Sequence, residues 1–262
     1  MKQIYILLIA LLMGLSANAE KTGKCGPNLY WQLTDDGVLT ITGTGQMEDY
    51  NYSYNKNPWH NQNVKQVIIA DGVTTIGNYI FFECPKIKSI NIPNSVTTID
   101  DFAFSYCSKL KQVDIPNSVT TLCRGLLRDC SSLESIRIHK DVVEIEESVF
   151  DRCFKLTNIS CEASTPPTCG TDAFRDINKS KCKLFVPKAS IDTYKVANGW
   201  KNFSYIEATT GITNNVYNKT ELVDVYTIDG TKRLSKASKE EMNALPKGVY
   251  IVNGKKIIIK NQ

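Results

Sequence analysis

Nine cysteines and two histidines are the side chains of this 262-residue chain best suited to chemistry. Four cysteines, Cys84, Cys107, Cys130 and Cys153, follow one another at a constant interval of 23 residues. A thiol nucleophile needs a base within reach and a group to orient that base. The bases on offer are His60 and His139. His139 and Cys161 lie about one interval apart, so a dyad can be drawn. His139 nevertheless reads as a polar surface residue and Cys161 as a buried thiol. Neither C-x-x-C nor H-E-x-x-H occurs, so the spacing predicts no metal centre. Gly43-Thr44-Gly45 falls in a hairpin, not at the strand-to-helix junction of a phosphate loop. The carboxylate pairs Asp35-Asp36, Asp100-Asp101 and Glu146-Glu147 fall in turns, where acidic residues are common. The expectation is a protein that is not an enzyme and carries no cofactor.

The interval itself says more than the thiols. Residues 72–94, 95–117, 118–140 and 141–163 align without a gap. A fixed period in this range marks a solenoid, whose units bury their apolar sides only by stacking. Apolar residues fall into columns: Ile76, Ile99, Leu122 and Ile145; Phe81, Phe104, Leu127 and Phe150; Ile87, Leu110, Leu133 and Leu156. Ile90, Val113, Ile136 and Ile159 form the next, and Ile92, Ile115, Ile138 and Cys161 the last. The last three columns space as L-x-x-L-x-L, the leucine-rich-repeat core pattern. Ile90-Asn91-Ile92 and its equivalents predict one short parallel strand per coil. Val73–Ile76 and its equivalents predict a second strand opposite. The segment from Asp100 to Ser105 predicts a helical or 3-10 turn with Phe104 pointing inward. The fold class expected is a mainly β repeat solenoid with a β-hairpin cap and a small sandwich-like β tail. In the third block, Cys123-Arg124-Gly125 and His139 break the pattern, which predicts local repacking. Arg124 and Arg128 read as solvated.

Residues 1–19 have the marks of a signal peptide: Lys2, an apolar run from Ile4 to Leu15, and Ala17-Asn18-Ala19 before the cut. The run is too short to span a bilayer as a helix. Residues 20–71 form the N-terminal β cap, with Leu29, Trp31 and Leu33 alternating before the turn Asp35-Asp36-Gly37. Trp59 is placed to plug the core. Four repeats (72–163) follow, then a C-terminal cap with a partial repeat (164–208), a linker (209–220) and a small β tail (221–262). Asp229-Gly230 and Asn253-Gly254 predict hairpins in that tail. A net charge of +4 without a concentrated basic face argues against nucleic acid.

Export permits disulfides. The column of Cys84, Cys107, Cys130 and Cys153 reads as reduced, buried and structural, because ladder side chains point the same way and not at each other. Cys169 and Cys182 are the one candidate pair.

The run from Ile92 to Ile115, with Ser95-Val96-Thr97, Ala103-Phe104, Cys107 and Leu110, resembles the BspA-type leucine-rich repeats of bacterial surface proteins. The resemblance covers roughly residues 24–208, including Gly37-Val38-Leu39-Thr40-Ile41 at one end and Gly199-Trp200 at the other. It implies a cell-surface protein of Bacteroidota that adheres to host matrix proteins or other bacteria. The tail, through Asp229-Gly230, Leu245, Gly248-Val249-Tyr250 and Lys260, resembles a type IX secretion sorting domain.

The outward strand positions then become the candidate binding face: Ser89, Gln112, Ser135 and Asn158 in one rank, Asn91, Asp114, Arg137 and Ser160 in the other. Its expected partner is an extracellular protein, of host matrix or bacterial surface. A glycan is the alternative, for which the sequence offers only Tyr50, Tyr52 and Tyr54 with Trp59. A scaffold that binds nothing specific is the third reading.

Overall fold

The structure, a computed structural model, describes residues 19–53 and 56–209 and, in the tail, residues 223–227, 232–237, 248–252 and 255–259. The predicted signal peptide, apart from Ala19, lies outside the described residues. So do Tyr54 and the tail residues Asp229, Gly230, Leu245, Asn253, Gly254 and Lys260.

Three antiparallel strands come first: β1 (Ala19–Gly26), β2 (Leu29–Thr34) and β3 (Val38–Gly43). Leu29, Trp31 and Leu33 of β2 point inward, and Gly37 turns the chain at φ 94°. No pattern in the sequence announces β1. Its Gly- and Lys-rich composition has little strand propensity, and pairing along β2 creates it.

Two parallel ladders then climb the solenoid. The next strands are β4 (Gly45–Gln46), β5 (Gln66–Ile69), β6 (Val73–Ile76), β7 (Ser89–Asn91) and β8 (Thr98–Ile99). Strands β3, β5 and β7 pair in parallel on one side; β4, β6 and β8 pair on the other. Beyond them lie β9 (Thr121–Leu122), β10 (Ser135–Ile138), β11 (Glu144–Ile145), β12 (Asn158–Cys161), β13 (Thr168–Cys169), β14 (Lys183–Val186) and β15 (Tyr205–Ala208). These give a sheet ordered β10-β12-β14-β15 and another ordered β13-β11-β9. The segments expected to be caps thus carry rungs of the same ladder. Leu39 and Ile41 register with Val67 and Ile69, as Ile159 does with Leu184. These rungs escape a fixed period because the loops beside them differ in length. Helix α1 (Ile191–Val196) lies between β14 and β15.

The corner between the two strands of a coil holds a third ladder. Tyr79, Phe81 and Glu83 donate their N–H groups to the carbonyls of Asp101, Ala103 and Ser105 in the next coil, at 3.1, 2.9 and 3.1 Å. Phe102, Phe104 and Tyr106 do the same to Arg124, Leu126 and Arg128. The i to i+3 bonds expected of a 3-10 turn are present, as from Ser105 N–H to the Phe102 carbonyl at 3.2 Å. Left-handed residues at both ends of each corner, Tyr79 and Glu83 or Phe102 and Tyr106, keep it from winding into a helix.

Inside, the predicted columns are buried. Trp59 stacks on Phe81 at 5.4 Å, Phe81 on Phe104 at 5.7 Å and Phe150 on Phe174 at 5.4 Å. Trp200 closes the far end, 5.0 Å from Phe174, and its indole donates to the Pro167 carbonyl. Leu127 fills the Phe position of the third coil. Gly125 there has a second use: a Cβ would lie 2.3 Å from the Phe102 ring, which occupies that space.

The repeat cysteines are more than small hydrophobes. Cys107, Cys130 and Cys153 donate S–H hydrogen bonds to the carbonyls of Phe81, Phe104 and Leu127, each one coil back, at 3.3, 3.2 and 3.2 Å. These carbonyls sit in the core, where a second donor is otherwise scarce. All nine cysteines are free, as expected for the column. Cys169 and Cys182 are also free, which corrects the expected pair. Cys169 belongs to β13 and packs on Gly199, whereas Cys182 precedes β14 in a different sheet.

In the tail, β16 (Val223–Thr227), β17 (Lys232–Ala237), β18 (Gly248–Val252) and β19 (Lys255–Ile259) form one antiparallel sheet ordered β17-β16-β18-β19. The second layer of the expected sandwich is not among the described residues. Residues 18–209 form a compact unit of their own.

Trp200→Ala should cost about 3–5 kcal/mol of stability in urea unfolding, because it empties the end of the stack. The thiols set a pH limit. Burial pushes Cys84 up to about 12 and Cys107 and Cys130 well above the ordinary 9.0. A raised folded value means that stability is complete below pH 9 and is lost as pH rises toward 12. Under reducing conditions, Cys107→Ala should flatten that decline by about 1.4 kcal/mol per pH unit between pH 9 and 11. An unchanged slope would show that the buried thiol is not the group responsible.

Candidate functional site

The drawn dyad does not exist. His139 is buried at 1% exposure, not on the surface as expected. It stands where the preceding coils have Pro93 and Pro116, and its Nε2 lies 2.7 Å from the Val119 carbonyl. Its Nδ1 accepts from the Asp141 N–H at 3.3 Å. Through these two contacts the ring stitches two coils together. Cys161 lies beside the Tyr194 hydroxyl, 3.1 Å away, and that hydroxyl donates to the Ala163 carbonyl at 2.9 Å. Burial raises the Cys161 thiol to about 11. Neither group is free to act on a substrate.

One mixed donor cluster escaped the search by motif. Asp101, Cys123 and Glu146 bring a carboxylate, a thiol and a carboxylate within 4.8 Å of one another. They come from successive coils, so only the 23-residue register connects them. The chain's own cation already holds the cluster. The Arg124 guanidinium lies 3.0 Å from Asp101, and the Arg124 N–H donates to Glu146 at 2.9 Å. Burial, then the charge of Glu146, pushes the Cys123 thiol up to about 12. Both carboxylates are thus already engaged by Arg124, one through its guanidinium and one through its backbone. Arg124 also lies over the Phe102 ring, 5.3 Å from its centre. Arg128 is paired as well, at 3.3 Å from the fully buried Asp151, which Arg175 grips with two bonds of 2.9 and 2.6 Å. Both arginines were expected to be solvated; the inter-coil register gives each a carboxylate partner.

The strand face holds most of its predicted members in rank. Ser135, Asn158 and Lys183 are register neighbours, as are Arg137, Ser160 and Phe185. Ser89 registers with Gln66, and Asn91 with Ile68. Gln112 and Asp114 are exposed on the coil between, but residues 111–116 form no strand, so the strand expected in every coil is missing there and the face is two sheets. Ser160 departs from expectation: it is 6% exposed, flanked by the larger Arg137 and Phe185, and its Oγ has no protein partner. Arg137 spends its charge on Glu162 through two bonds of 2.7 Å. Lys111 pairs with Glu134 at 3.3 Å and Lys183 with Glu207 at 3.5 Å. The face is thus polar with its charges mostly matched.

A cleft of about 530 Å³ lies at the corner of the first coils, beneath the cap loop. Residues 59–64 form one wall, residues 83–86 with Tyr106 and Ser108 the other. A small neighbouring hollow shares His60 and Glu83 with it and adds Tyr52, Tyr79 and Phe82. Phe82 is the hub of this group, edge-on to Tyr52, Tyr79 and Tyr106 at 5.2 to 5.7 Å. Tyr52 is 63% exposed, whereas Tyr50 is buried; Tyr54 lies outside the described residues. The sequence marked the tyrosine loop but not Phe82, Glu83 or Tyr106. Their convergence depends on corner geometry that periodicity does not report.

The model of the BspA type leucine rich repeat region matches residues 53–181 in six copies. That is more than the four blocks of fixed period, because the outer copies differ in length. No curated protein matches the chain. Among solved structures, the chain is similar to a leucine-rich repeat protein from Eubacterium ventriosum. The identity is 20% over 71% of this chain and 68% of that one, with a TM-score of 0.46. A leucine rich cell surface protein from Faecalibacterium prausnitzii is 23% identical over 65% of this chain and 56% of its own, with a TM-score of 0.39. A leucine rich repeat protein from T. pallidum is 17% identical over 68% and 93%, also with a TM-score of 0.39. Among the described residues no helix is long and apolar enough to cross a membrane. With the inward columns, the inter-coil ladders and the matching repeats in place, residues 53–181 are a BspA-type leucine-rich repeat region.

Proposed function

We propose that this chain is an exported, non-catalytic interaction module of the bacterial surface, adhering to a protein of host matrix or of neighbouring cells. The observation that carries this is the strand face. Ser89 and Asn91 stand in register with the coil before them, Ser135 and Arg137 with Asn158 and Ser160, and Gln112 and Asp114 are exposed on the coil between the two sheets. Such ranked faces are the extended binding surfaces of repeat proteins. Matched charge and few aromatic anchors suit weak contacts that gain strength by repetition. The tail from residue 221 serves as the sorting signal in this reading.

Two measurements test it. Purified full-length protein should bind at least one of a panel of matrix proteins or whole bacterial cells in surface plasmon resonance. The pair Gln112→Arg and Asp114→Lys should weaken that binding about tenfold with stability changed by less than about 0.5 kcal/mol. Binding indifferent to these substitutions would remove the strand face from the account. Mass spectrometry of fractionated cells should find a surface or released form lacking the tail; an intact periplasmic form would sink the surface assignment.

A further inference from the structure

The first corner of the solenoid lacks a preceding coil to supply its donors. In later coils three backbone N–H groups reach the next corner. Here the Tyr50 N–H reaches the Asn78 carbonyl at 2.9 Å, the Trp59 indole reaches Ile80 at 3.0 Å and the Asn57 amide reaches Phe82 at 3.5 Å. The cap loop meets the hydrogen-bonding need without rebuilding a full corner. The space that a coil would fill stays open over residues 83–86 and 106–108, and this is the cleft of about 530 Å³. Its size falls within the range of small-ligand sites, roughly 300–1,000 Å³.

We propose that this cleft binds a neutral oligosaccharide. Its walls are amphiphilic in the way a sugar ring is. Pro85 and the Tyr106 ring offer apolar surface, while Asn61 and Ser108 can each donate and accept, and Gln62, whose Oε1 accepts from Lys21 at 2.6 Å, can donate. A hydroxyl does both, so amides and hydroxyls match it better than fixed charges do. The charged residues of the cleft are Glu83 and Lys86, of opposite sign, which suits an uncharged ligand. From Glu83 and His60 the wall continues to Tyr52 and Phe82, giving a longer chain aromatic surface outside the cleft.

An extended peptide fits less well. Strand addition needs a free backbone edge. The backbone of this wall is already committed, with Glu83 N–H on Ser105, Tyr106 N–H on Arg128 and the Phe82 carbonyl on Asn57. Recognition here must come from side chains and ring faces. The site is separate from the strand face and stands or falls independently of it.

The test titrates the full-length protein with maltotetraose, cellotetraose, mannotetraose and chitotetraose, followed by calorimetry and tryptophan fluorescence. At least one should saturate with a dissociation constant on the order of 0.1–1 mM. Ser108→Trp, which fills the cleft, should weaken it about tenfold or more, and Tyr52→Ala about threefold. Asp114→Lys on the strand face should leave it unchanged, even where it abolishes protein binding. Should Ser108→Trp fail to fold by circular dichroism, Gln62→Ala decides, with about a threefold loss expected. Saturation by none of the four, undiminished binding in a folded Ser108→Trp variant, or stronger binding of a heparin tetrasaccharide would each overturn the proposal.

Discussion

Every corner carbonyl of this solenoid needs a donor from the coil before it. A buried carbonyl left without one costs about 1–3 kcal/mol, and each corner presents three. The repeats meet that demand through backbone N–H groups at alternate residues, which is why the left-handed positions recur at Tyr79, Phe102 and Ser148. The thiols of Cys107, Cys130 and Cys153 add a further donor per coil. The end coil has no thiol after it, and there the Lys179 ammonium donates to the Phe174 carbonyl at 2.6 Å. The 23-residue period is therefore a hydrogen-bonding period as much as a hydrophobic one.

That demand also governs the reactive side chains. The thiols hold carbonyls and stay protonated. His139 holds Val119, Tyr194 holds Ala163, and Asp151 holds two arginines. Each is a group that an enzyme would keep poised in a cleft. Here each is consumed between coils. Chemistry then has to come from what points outward, and outward side chains in a ladder are repeated and similar. Recognition by repetition follows from the geometry more readily than catalysis does.

Periodicity exposed the columns because identical neighbours impose identical choices: Ile76, Ile99, Leu122 and Ile145 hold the same buried place in successive coils. It also marked Trp59, which stacks on Phe81, the first Phe of the column. It did not reach β1, whose sequence is poor in strand formers, nor the parallel pairing of β3 with β5 and the rung at β15, where loops of irregular length hide the register. Asp101, Cys123 and Glu146 were missed for a related reason: their positions within the block differ by one residue, so no column contains all three. Ser160 misled because an outward position is exposed only when its neighbours are small, and Arg137 and Phe185 are not.

The two ends of the ladder are where this regularity fails, and they fail differently. At the C-terminal end, Trp200, Phe203 and Phe174 pack around one another, with ring centres 5.0 to 6.3 Å apart. At the N-terminal end one indole and one amide stand in for backbone, and side chains reach further than backbone does. Trp59 can satisfy Ile80 while the main chain carrying it remains at a distance, so a gap is left between loop and corner. A cap made of a true coil would have closed it, and the surface would then offer only its ranks of similar residues. The irregular end is the part of this molecule with the means to distinguish one ligand from another.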